Sequence, residues 1–167
     1  EEHLISTAAL AGNFAAAFGA QAEAAYTALL HDIGKYSAGF QQRLQGGPPV
    51  DHSTAGAKAA IQDGNIPAAL AIAGHHSGIP DLGNPHDTAD ESTLVGRSKR
   101  RIEDCSQWKQ EISPAKAALP PWLLRQPDNL TMAFFTRMLY SSLVDADFID
   151  TETFMDGKAA PRGMGEP

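Results

Sequence analysis

Cys105 is the only cysteine in the 167 residues. An intrachain disulfide and a closed thiolate zinc site are therefore both excluded, and a reducing cytoplasm is the expected setting. No apolar run approaches the ~20 residues that cross a bilayer, and no secretory leader pattern opens the chain. The first residue is Glu1 rather than Met, as expected of a processed, trimmed or excised piece. A Gly-x4-Gly-Lys-Ser/Thr phosphate loop is also absent, so this stretch is not itself an ATP-driven motor. No internal repeat occurs, and no segment sustains the period-two alternation of strands. Basic residues are scarce as well, with 13 Lys and Arg against 20 Asp and Glu and a formal charge of −7. That balance argues against an autonomous high-affinity nucleic-acid binder, because such affinity comes from cations set against phosphates. Divalent ions held at one point would weaken the objection there.

What is present suits one domain with a real core: the hydrophobic share is 43%, ordinary for a globular chain of this length. Leu4, Ala8, Leu10, Ala11, Phe14, Ala15 and Phe18 recur at helical spacing until Gly19. A second helix is expected from about Gln21 to Asp32, with Gly34 as its stop. Ser37 is placed to cap a short helix ending near Leu44, and Gly46-Gly47-Pro48-Pro49 breaks the chain. His52 opens a small-residue helix, and Asn65 with Pro67 starts another that runs to His76. Residues 77–90 read as loop, 91–109 as a charged helix, and 113–127, with four prolines, as short helical pieces. Asp128 or Asn129 then caps a long apolar helix whose phenylalanines read as core, with Asp145 near its end. The expected fold is all-α, a compact single-domain bundle of six to eight helices over residues 1–155, with 156–167 as a linker-like tail.

Chemistry concentrates at Leu29-Leu30-His31-Asp32-Ile33-Gly34-Lys35. An imidazole and a carboxylate side by side at a helix end offer a divalent cation two ligands. His3, His52, His75, His76 and Asp145 are further candidates. Imidazole nitrogen with carboxylate oxygen suits Mn, Fe, Co, Ni or Zn. Seven groups exceed the needs of one ion and point to two, ~3.5–4 Å apart and bridged by one aspartate, an arrangement that grips both sides of a phosphodiester. Lys35 would stand beside them and hold the scissile phosphate. Plainer roles compete: His52 also fits a helix cap, His3 lies near a fraying end, and Asp145 vies with Asp147 and Asp150 as a helix-terminal acid. His86 reads as surface, and Arg97 with Lys99-Arg100-Arg101 reads as a solvated helix face paired with Glu103 and Asp104.

The run HDIGK at 31–35 resembles the signature of the HD superfamily of metal-dependent phosphohydrolases. More narrowly, KYSAGFQQRL at 35–44, VDHSTAGA at 50–57, GHHSG at 74–78 and LVDADFIDTE at 143–152 resemble the HD nuclease domain of the CRISPR-associated type I interference nuclease-helicase. The resemblance spans His3 to Glu152. It implies a two-metal site that cuts single-stranded DNA, with His3, His31, Asp32 and Asp145 on one ion and Asp32 bridging to a second held by His52, His75 and His76. It also implies Mn, Fe, Co or Ni ahead of Mg or Zn, and Asp32 with Lys35 as the catalytic pair. The implied partners are a superfamily 2 helicase domain or subunit and the CRISPR surveillance complex, with no membrane, and a monomer is expected for the isolated piece. Two other readings stay open: an HD-type nucleotide or cyclic-dinucleotide phosphohydrolase, and a non-catalytic docking domain with a vestigial metal site.

Overall fold

The computed structural model describes residues 1–125 and 128–156, and every regular element among them is helical. The order is α1 (Glu2–Ala15), α2 (Gln21–Leu30), α3 (Ala38–Leu44), α4 (Ser53–Gln62), α5 (Ile66–Gly74), α6 (Leu94–Lys99), α7 (Pro121–Arg125) and α8 (Asn129–Asp156). Short 3₁₀ turns cover Ala16–Phe18, Ile33–Tyr36 and Ser106–Gln110. No helix among the described residues is long and apolar enough to cross a membrane.

Small residues set the packing. Ala11 and Ala15 of α1, Ala24 and Ala28 of α2, Ala57 and Ala60 of α4, and Ala68, Ala69 and Ala71 of α5 are all buried. With little side chain between them, the helix axes come close. α1 lies on α2 and α8, and α5 lies on α4 and α8. Leu4, Leu30, Ile33, Ile72, Leu123, Phe135, Leu139 and Leu143 fill the spaces that remain.

The caps follow the chain's own polar punctuation. Ser37 Oγ accepts from the Phe40 amide at 3.3 Å, Asn65 Oδ1 from the Ala68 amide at 3.1 Å, and Asp128 Oδ1 from the Thr131 amide at 2.8 Å. Gly19 ends the first helical segment in the left-handed region, at φ 70°. Asn65 also donates its amide to Glu23 Oε1 at 2.6 Å, tying the start of α5 to the start of α2. Glu23 is 1% exposed, and its other oxygen has no hydrogen-bond partner. Asn65→Ala removes a cap and strips a buried carboxyl of its hydrogen bond. It is expected to cost about 2–3 kcal/mol of stability, measured as a lower urea midpoint with an unchanged slope.

Five expectations give way. Residues 91–109 are not one helix: α6 spans only Leu94–Lys99 because Arg100 turns extended, at φ −63° and ψ 142°. Its guanidinium instead ties together Asp51 at 2.9 Å and the carbonyls of Ala89 and Glu91. The basic run is therefore structural, since Lys99 Nζ donates to Pro85 O at 2.8 Å and Arg97 Nη1 to Ser53 Oγ at 3.2 Å. Phe135 is core, whereas Phe134, Phe148 and Phe154 are exposed. α8 continues well past Asp145, to Asp156. Residues 157–167 of the expected tail lie outside the described residues.

Gly34 does not act as a left-handed stop, for its φ is not positive. α2 ends at Leu30, and Gly34 sits inside the following 3₁₀ turn. Its hydrogen faces the start of α4, where a Cβ would lie 2.1 Å from the His52 carbonyl oxygen. The glycine is required by close backbone approach rather than by conformation.

Candidate metal centre

α2 and α5 end in the same way. His31 and His75 are their C-cap residues, and each ring turns back on its own helix. His31 Nδ1–H donates to Ala28 O at 2.6 Å, and His75 Nδ1–H donates to Ile72 O at 2.7 Å. A carbonyl can only accept, so both Nδ1 atoms carry the proton and both Nε2 atoms face inward. Both imidazoles have side chains that are 0% exposed.

Asp32 stands between these rings at 2% exposure. Its Oδ2 lies 3.2 Å from His31 Nε2 and 3.6 Å from His3 Nε2. Its Oδ1 lies 3.3 Å from His52 Nε2 and 3.6 Å from His75 Nε2. One carboxylate thus turns one oxygen to each of two clusters. In the first, His3, His31, Asp32 and Asp147 bring one ligand atom each within 4.8 Å of one another; Asp32, His52, His75 and His76 do the same in the second. Asp147 Oδ1 is 3.2 Å from His3 Nε2 and 3.6 Å from His31 Nε2. His52 Nε2 and His76 Nε2 approach to 2.8 Å.

The donor set fits divalent cations on a specific ground. His31 Nε2, His75 Nε2 and both Asp32 oxygens are buried without a hydrogen bond, apart from the ion pair that Lys35 makes with Oδ2. Lone pairs buried face to face repel unless a proton or a metal lies between them. The helix C-termini that present His31 and His75 favour positive charge as well. No closed thiolate site competes, since Cys105 lies outside both clusters.

The two clusters differ in proton affinity. The carboxylates of Asp147 and Asp32 beside its ring, working against burial, lift His3 to about 10. Burial lowers His31, but the charges of Asp32 and Asp147 outweigh it and bring the ring to about 9. Both carboxyls are held below the usual range by these imidazoliums, against the opposing effect of burial. On the other side, burial and the neighbouring imidazoles push His76 down to about 4, and burial lowers His52. Without metal at pH 7, protons therefore sit on His3 and His31 while His52 and His76 stay neutral. A cation entering the first cluster must displace those protons. Loading at pH 7 should release up to two protons, one each from His3 and His31, seen by calorimetry in buffers of different ionisation enthalpy.

The structure brings together His3, His31, Asp32, His52, His75 and His76, with Lys35 beside them. It does not bring in Asp145, which is exposed and belongs to neither cluster. Asp147 takes its place. Along α8 the buried face runs through Leu139, Leu143 and Ala146, and one more turn from Leu143 arrives at Asp147. Asp145 is rotated away from that line. Asp150, one turn beyond Ala146, completes the same face and contacts His3 Nδ1 at 2.6 Å. The helical period of the apolar stripe was the signal that picks out both residues.

A cleft of about 820 Å³ opens onto the cluster, with His3, Asp32 and Lys35 at its floor and Tyr36, Phe40 and Phe154 in its walls. Glu1, Glu2 and Glu111 add acidic side chains to the lining. His86 lies exposed in its loop, away from the cleft.

The family model for the HD domain matches residues 1–109. That span carries every ligand of both clusters except Asp147. No curated protein matches the chain.

Proposed function

The chain belongs to the HD domain family, and from that membership we propose that it is a two-metal nuclease hydrolysing phosphodiester bonds of single-stranded DNA in CRISPR interference. Membership itself carries metal-dependent hydrolase chemistry in general; the polynucleotide substrate is the added step. The observation that carries it is Asp32, turning one oxygen to each ligand cluster in the lining of an open cleft of about 820 Å³. The four motifs that resemble the interference nuclease support the same choice.

When bound, divalent cations supply positive charge to a phosphoryl group and acidify water at neutral pH. His3, His31, Asp32 and Asp147 would hold one ion, and Asp32, His52, His75 and His76 the other. The chain's own contribution is preorganisation. The bonds to Ala28 O and Ile72 O fix the rings of His31 and His75 before substrate arrives. Lys35, with its ammonium at Asp32 Oδ2, is placed to pair with a phosphate oxygen at the cleft floor. Water is the nucleophile, so no covalent enzyme intermediate is required.

The acidic lining and the net charge of −7 oppose unaided capture of a polyanion. Delivery therefore falls to partners, in this reading a superfamily 2 helicase and the surveillance complex. The test is an assay on circular and linear single-stranded DNA with Mn²⁺, Co²⁺, Ni²⁺ or Mg²⁺, with EDTA as control. Metal-dependent opening of the circle is expected. Failure on both DNAs with turnover of a nucleotide or cyclic dinucleotide would move the site to the other HD chemistry.

A further inference from the structure

Each inward-facing imidazole of the centre except His76 has its Nδ1 against a fixed acceptor. For His31, His75 and His52 that acceptor is a backbone carbonyl: Ala28 O at 2.6 Å, Ile72 O at 2.7 Å and Val50 O at 3.4 Å. His31 and His75 follow helix ends, where unbonded carbonyls lie just behind them. His3 has no such neighbour. It sits in the first turn of α1, where amides rather than carbonyls are left over. Its Nδ1 instead meets Asp150 Oδ2 of α8 at 2.6 Å, while its Nε2 points at Asp147 Oδ1 and Asp32 Oδ2.

We propose that Asp150 is a positioning residue for the metal centre, accepting the Nδ1–H of His3 so that the Nε2 lone pair is presented to the cation of the first cluster. The inference rests on the metal-centre reading above. A carboxylate behind a ligating imidazole fixes its tautomer and ring angle and makes the far nitrogen a better donor. Asp150 does for His3 what the spent ends of α2 and α5 do for His31 and His75. It has no place in either ligand cluster, lines the cleft beside them, and meets the centre at His3 Nδ1. An ordinary α1–α8 ion pair would predict something different: loss of helix docking, with no preference for an acceptor oxygen at position 150.

The experiment is Mn²⁺ titration calorimetry on the full chain, comparing wild type with Asp150→Ala and Asp150→Asn. Thermal melting in EDTA verifies that each variant is folded. Wild type is expected to bind two ions. Asp150→Ala should weaken one site by about tenfold to a hundredfold and leave the other unchanged. Asp150→Asn retains an acceptor oxygen and should recover most of the loss. In Zn²⁺-loaded protein, nitrogen-15 spectra should show the Nδ1–H form of His3 in wild type and Asp150→Asn and its loss in Asp150→Ala, with His31 and His75 unchanged. Two ions bound by Asp150→Ala at wild-type affinity overturns the inference and leaves the metal centre standing, as does a folded Asp150→Asn as weak as the alanine variant. A wild type that binds no Mn²⁺ overturns the metal centre itself, and the role of Asp150 with it.

Discussion

On the proposed nuclease function, Asp32→Ala is expected to lower metal-dependent cleavage by about three orders of magnitude or more, the largest single loss available in this centre. Every other ligand serves one cluster, whereas Asp32 serves both. Asp32→Asn keeps the shape and removes the charge, and it should fail nearly as badly, because one amide oxygen cannot replace two anionic ones. Calorimetry should show both ions weakened in either variant, against one in a variant of His3 or His76. The metal-free protein gives an independent reading. His31 is raised in the fold to about 9 from an ordinary 6.5, chiefly by the Asp32 charge working against burial. A raised imidazole adds stability that is complete below about pH 6.5 and is lost as pH climbs through 9. In EDTA, wild type should therefore lose stability between pH 6.5 and 9–10, and Asp32→Ala should show a shallower decline. A wild-type urea midpoint that stays flat across that interval would falsify this electrostatic account.

Gly34→Ala is expected to disable the centre without touching a ligand. The added methyl would lie 2.1 Å from the His52 carbonyl oxygen and 2.7 Å from His52 C and Cα. These are backbone atoms at the start of α4, so no side-chain rotation relieves the clash. The turn carrying Asp32 and the residue carrying the His52 ring must move apart. Overpacking of this kind costs about 1–3 kcal/mol, and occasionally more. A displacement near 1 Å at a reacting site costs about a hundredfold in rate. Gly34→Ala should therefore lower the melting temperature and depress cleavage about a hundredfold, with metal affinity falling more at the His52 cluster than at the His3 cluster. Equal loss at both clusters would point to general unfolding rather than to this contact.

Much of the scaffold is readable in the residues themselves, because caps and breaks act locally. Ser37, Asn65 and Asp128 cap the helices they precede, and Gly19 ends its segment. Local signals fail where distant partners decide. Arg97, Lys99 and Arg100 look like a solvated stripe until the carbonyls of 85–91 and the acid at 51 fold back on them. Gly34 looks like a terminator because nothing nearby announces that His52 will lie against it. In the centre, the histidines stand out through adjacency and motif. Asp147 rather than Asp145 joins the first cluster, and the acids at 145, 147 and 150 look alike unless helical phase is applied. Counting turns from Leu143 and Ala146 separates them.

The helix bearing Asp147 begins at Asn129, after every other residue of the two clusters has already been laid down in the polypeptide. A nascent chain that has emerged only as far as residue 140 holds six of the seven donors and lacks the carboxylate that closes the His3–His31 pocket. A product that stops there keeps the His52 cluster whole and a first cluster without its second carboxylate.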